Sequence, residues 1–68
     1  MNTLNKNLKY YREASNLTQK ALAEKLKITV RAYQRYEAGE REPKLDILIM
    51  LADVFQVSLD ELAGRKFP

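Results

Sequence analysis

Thr18-Gln19-Lys20-Ala21-Leu22-Ala23-Glu24-Lys25-Leu26 and, after Lys27-Ile28, the run from Thr29 to Gly39 spell two short helices joined by a tight turn. Thr18 suits the position before a helix, where its hydroxyl accepts from a backbone N–H one turn on. Behind it Ala21, Leu22, Leu26 and the small Ala23 recur at helical spacing. Thr29 caps the next helix in the same way, and Gly39, free to take a positive φ, ends it. The two helices are expected over about 18–26 and 29–38.

Outward from this pair the same signals recur. A first helix is expected over Leu4 to Ser15, with Leu8 and Tyr11 inward, Lys6, Lys9 and Glu13 in solvent, and Asn16 closing it. Glu40 to Pro43 is a polar loop, and Pro43 favours a restart over a continuation. A fourth helix follows over about Lys44 to Phe55. Ser58-Leu59-Asp60-Glu61 forms a capping box for a short fifth helix that stops at Gly64, leaving Arg65 to Pro68 as a tail. The expectation is an all-α, single domain of five short helices over residues 1–64.

At 68 residues, with no cysteine and no histidine, the chain has neither a disulfide nor a zinc set to hold it. Stability must come from helix packing, with dimerisation as a further source. No apolar run approaches the roughly 18 residues of a membrane span, and no signal-peptide pattern is present, so a cytoplasmic protein with no membrane partner is expected. The formal charge of +3 is unevenly spread. Residues 1–44 hold ten basic against five acidic side chains, a balance of +5, whereas residues 45–64 hold four acids and no base. One surface is basic and another acidic, as expected where a single face meets an anionic partner.

The second helix of the pair carries Val30, Arg31, Gln34 and Arg35 on one face by the i, i+3 and i, i+4 rules. Arg can donate two hydrogen bonds to guanine O6 and N7, and Gln can bridge adenine N6 and N7. Val30 offers an apolar surface suited to a thymine methyl. Such side chains on an isolated helix would be ordinary solvated surface. Two helices in this arrangement are a helix-turn-helix, in which one helix braces the unit and the next lies in the DNA major groove.

From about Leu8 to Leu62 the chain resembles the DNA-binding domain of phage repressors, Cro proteins and many small bacterial regulators, the xenobiotic-response-element type. The Thr18-Gln19 pair is a specific mark of that family. The resemblance implies a compact, lambda-repressor-like fold. It implies DNA contacts from Gln19, Thr29, Val30, Arg31, Gln34 and Arg35, with Gln19 also bracing the reading helix and Arg41 and Lys44 meeting phosphates. It further implies a structural ion pair between Arg12 and Glu37. Three departures stand out. Glu40 and Glu42 lie where relatives often carry positive charge, Lys27 occupies a turn position that is often glycine, and Tyr33 replaces a smaller aliphatic residue. The Tyr33 ring is expected in the core with its hydroxyl at the surface.

The fourth helix is apolar beyond one face. Leu48, Leu51, Ala52 and Phe55, with Val57, Leu59 and Leu62, can complete the core. Ile47, Met50 and Val54 form a second stripe at i, i+3, i+7, expected with Phe67 in a two-fold interface that sets two reading helices about 34 Å apart. The alternative is a repacked monomer core. The function expected is a sequence-specific double-stranded DNA-binding regulator, most simply a repressor on a palindromic operator. The rival is a protein-binding module, such as an antitoxin or a partner-sensing domain, on the same scaffold. No histidine, cysteine, Gly-rich phosphate loop or carboxylate cluster supports an enzyme, a metal, a cofactor or a small-molecule substrate.

Overall fold

The computed structural model describes residues 3–64, and within them all regular structure is helical. The order is α1 (Leu4–Ala14), α2 (Gln19–Leu26), α3 (Val30–Ala38), α4 (Leu45–Phe55) and α5 (Leu59–Ala63). The expected tail 65–68, and Phe67 within it, lie outside the described residues.

Local chemistry sets the boundaries. Thr18 accepts from the Ala21 N–H at 3.0 Å, and Thr29 from that of Ala32 at 3.1 Å. Ser58 and Glu61 satisfy each other's backbone N–H groups reciprocally at the start of α5. Asn16, Lys27, Gly39, Gln56 and Gly64 all take the left-handed conformation that ends a helix and turns the chain. At Lys27, with φ 60° and ψ 40°, that geometry is held by a side chain that disfavours it.

Leu8, Leu22, Ala23, Leu26, Tyr33, Tyr36, Leu51, Ala52 and Leu62 form the core, drawn from all five helices. Pro43 is buried as well, so the 40–44 segment is anchored at its middle. α4 rotates its Leu48, Leu51, Ala52 and Phe55 arc inward, but the two flanks differ from expectation. Ile47, Met50 and Val54 are half-buried and packed against the core of their own chain. The open apolar side chains are instead Leu45 (64% exposed) and Ile49 (45%), one turn apart on α4. Nine apolar side chains on one 11-residue helix exceed what a single inward arc holds, so one shoulder stays uncovered. Leu59, expected in the core, is also exposed at 42%. The reason is that α5 is fastened at its far end. Leu62 enters the core, Thr3 Oγ1 donates to the Ala63 carbonyl at 2.9 Å, and Asn7 Nδ2 donates to that of Leu62 at 3.0 Å. Its first turn is left at the rim.

Candidate nucleic-acid interface

α3 is amphipathic, and its two sides have different tasks. Tyr33 and Tyr36 point into the core, their rings edge-to-face with centroids 6.3 Å apart. Thr29, Val30, Arg31, Gln34 and Arg35 are exposed on the other side. Arg31, Gln34 and Arg35 with Ala38 and Glu40 line an open hollow of about 300 Å³. Two guanidiniums and an amide are thereby brought together on one surface, with an acidic residue beside them. Arg41 and Lys44 are exposed in the segment that follows α3. Lys44 is also the residue before α4, where a cation opposes the helix dipole and Asp46 in the first turn offsets it.

Beneath this surface a polar network fixes the angle of α3. Arg12 reaches Glu37 with Nε at 2.6 Å from Oε2 and Nη2 at 3.3 Å from Oε1, and its Nη1 donates to the Leu17 carbonyl at 2.8 Å. The two side chains are only 12% and 7% exposed. The ion pair that the resemblance implied is therefore present, and it joins α1 to the last turn of α3. Among the described residues no buried side-chain polar atom lacks a partner.

Two further groups complete the network. Tyr33 is fully buried, and its hydroxyl donates to Glu37 Oε2 at 2.6 Å. The expectation of a surface hydroxyl is thus corrected: the phenol reaches one helical turn along α3 and serves the carboxylate rather than solvent. Gln19 donates from Nε2 to Glu37 Oε1 at 3.1 Å, and its Oε1 accepts from Gln34 Nε2 at 3.3 Å. The first residue of α2 therefore braces α3 at two points.

These bonds govern the protonation states. Burial alone pushes the Glu37 carboxyl up, but bonds from Arg12, Tyr33 and Gln19 and the charge of Arg12 outweigh it and hold it below its ordinary value. The hydrogen bond to Glu37 raises Arg12 further, against the opposing effect of burial. Burial, reinforced by the bond to the Glu37 carboxylate, raises Tyr33 well beyond the ordinary phenol range.

Some of the supporting residues were not foreseen. Asn5 Nδ2 makes a long 3.5 Å contact to the Glu37 carbonyl, so α1 touches the ends of both α3 and α5. The only signal for them was the density of short polar side chains, Thr3, Asn5 and Asn7, in the first turn of an otherwise ordinary helix. The link from Gln34 to Gln19 depends on how α2 crosses α3 and had no local signal.

A cationic helix held by a turn against a second helix, its outer side chains exposed and its inner ones locked, defines a helix-turn-helix unit. A helix-turn-helix family profile matches residues 8–62, and the chain belongs to that family. It is 41% identical over 54 residues, 79% of its length, to the cryptic phage CTXphi transcriptional repressor RstR of Vibrio cholerae. It is 40% identical over 63 residues, 93% of its length, to the transcriptional regulator ImmR of Bacillus subtilis. The chain spans about half the length of these relatives, 48% and 50%. Among solved structures, a transcriptional regulator from Listeria innocua superposes with a TM-score of 0.91 at 31% identity, covering 100% of this chain and 64% of that one. The DNA-binding domain of the P22 C2 repressor superposes with a TM-score of 0.82 at 28% identity, covering 91% of this chain and 84% of that one. The five helices of this chain thus share the form of a repressor DNA-binding domain.

Proposed function

We propose that this chain is a sequence-specific double-stranded DNA-binding transcriptional regulator, and in its simplest form a repressor that occupies an operator. The observation that carries the reading is the exposed set Arg31, Gln34 and Arg35 on one side of α3, braced from within by Arg12, Glu37 and Gln19. A helix so held can enter the major groove and present donors to base edges, with Thr29 and Val30 at its leading end. Gln19 keeps one amide hydrogen for a phosphate, and Arg41 and Lys44 flank the helix where phosphates would pass. On this reading the protein acts in the cytoplasm, and residues 1–64 are the DNA-binding domain.

Selection from a random duplex library tests it: one enriched motif is expected, with affinity falling steeply with salt as counterions are released. Arg35→Ala is expected to weaken the selected site by about 1–3 kcal/mol and relax one base position. Arg41→Ala is expected to weaken all duplexes alike. A library that yields no motif refutes the reading.

The finer proposal is a homodimer through the α4–α5 side, reading a palindrome. Support comes from the open apolar residues Leu45, Ile49 and Leu59, with half-buried Ile47, Met50 and Val54 at the margin of that contact. The same patch favours the second reading, a surface for a different protein. Sedimentation of the chain alone separates them: self-association abolished by Ile49→Glu supports the dimer, and a monomer at high concentration supports the other.

A further inference from the structure

From the bonding pattern we infer that Glu37, which reaches no base, fixes the direction in which the Gln34 amide faces the groove, acting through Gln19. The inference rests on the DNA-binding reading of α3. Its basis is the one-way character of each hydrogen bond in the chain from Arg12 to Gln34.

Paired with Arg12, the Glu37 carboxylate is ionised and can only accept. Everything that faces it must donate: Arg12 Nε and Nη2, the Tyr33 hydroxyl and an amide hydrogen of Gln19. A primary amide has its donors at one end and its acceptor at the other, so Gln19 must turn Nε2 toward Glu37 and Oε1 away. That oxygen meets Gln34 at 3.3 Å, and because it too can only accept, Gln34 must present its NH₂. One Gln34 hydrogen is used in this way. The other is left, together with the carbonyl, for a base edge, the pair of groups that can bridge adenine N6 and N7.

An unbraced surface glutamine rotates about its last torsion, which is broad and nearly two-fold, and offers donor and acceptor in either order. Here the order is set from inside the domain. A fixed order matters because A·T and T·A present N7, N6 and O4 in opposite directions across the major groove. Gln34 is the reading residue, and Gln19 and Glu37 are positioning residues. The consequence is discrimination between a base pair and its own inversion, a distinction that Arg31 and Arg35 do not supply for adenine.

The test uses Gln19→Met, which keeps length and apolar contact and removes the amide. Duplexes from the selected site, differing only by A·T against T·A at the Gln34 position, are titrated with both proteins. The wild type is expected to prefer one orientation by about fivefold or more, and Gln19→Met to bind both nearly equally while keeping its preference elsewhere. Glu37→Gln, whose amide can face Gln19 either way, is expected to show the same loss; should it fail to fold, the Gln19→Met result decides. A DNA-free measurement runs alongside. Gln34→Glu sets two acceptors against Gln19 Oε1, so it should lower the melting temperature of the wild type and leave that of Gln19→Met unchanged. The inference is overturned if Gln19→Met weakens all duplexes by one factor with the orientation ratio intact. It is equally overturned if Gln34→Glu costs the same in both backgrounds. A library with no enriched duplex refutes the DNA reading and this inference with it, whereas enrichment with an intact ratio refutes the inference alone.

Discussion

Replacing Tyr33 by Phe removes one oxygen from the middle of the molecule and tests the network most directly. The hydroxyl lies 2.6 Å from Glu37 Oε2 in a fully buried residue. A hydrogen bond to a charged group contributes about 1.5–3 kcal/mol. The carboxylate keeps three donors without it, two from Arg12 and one from Gln19, so the lower end of that range, about 1.5 kcal/mol, applies. In a domain of this size the melting temperature should fall by about 6–12 °C, read by circular dichroism at neutral pH.

The loss carries a pH signature. Glu37 is held below its ordinary value of 4.5, so its contribution is present above that value and is lost as pH falls through the lower folded one. Tyr33→Phe removes one cause of that depression, so wild type and variant should converge on acidification. At the other end, Tyr33 is raised above its ordinary value of 10.0. Its contribution is complete below that pH and declines as pH rises, because the unfolded chain ionises a phenol that the native state keeps neutral. The difference between the two proteins should therefore be greatest on a plateau between these limits and shrink on both sides. An unchanged melting temperature, or a difference that grows in acid, refutes the reasoning.

Three other perturbations follow from the same geometry. Arg12→Met strands a carboxylate whose side chain is 7% exposed and should cost about 3 kcal/mol or more, while Arg12→Met with Glu37→Gln should cost less, by urea denaturation. Lys27→Gly relieves a left-handed lysine at φ 60° and should stabilise the domain by about 0.5–1 kcal/mol in the same assay. Gly64→Ala should cost about 1–2 kcal/mol, because φ is +79° and the new Cβ would lie 2.6 Å from Thr3 Oγ1; faster amide exchange in the first turn of α1 is the local readout.

Helix ends were legible because their chemistry is local. Thr18, Thr29 and Ser58 cap their helices from side chains adjacent to the groups they satisfy, and Asn16, Lys27 and Gly39 turn the chain where they stand. The Arg12–Glu37 pair was legible only through the resemblance, since 25 residues separate its members. Tyr33 was half understood: its ring predicted burial, but the position of a buried carboxylate one turn further on decided where the hydroxyl went. On α4 the apolar excess was visible, yet which shoulder stays open depends on how neighbouring helices cross it, and Leu45 and Ile49 rather than Ile47, Met50 and Val54 proved the more exposed. The face of α3 was readable because Arg31, Gln34 and Arg35 alternate with Tyr33 and Tyr36 at helical period.

The seam where Thr3 donates to the Ala63 carbonyl and Asn7 to that of Leu62 brings the beginning and the finish of the described backbone side by side. Fraying at either extremity therefore releases the other, and the two should melt as a single unit. A peptide bridge from Gly64 back to Thr3 would close the domain into a ring without disturbing α3, turning that mutual dependence into a permanent covalent tie.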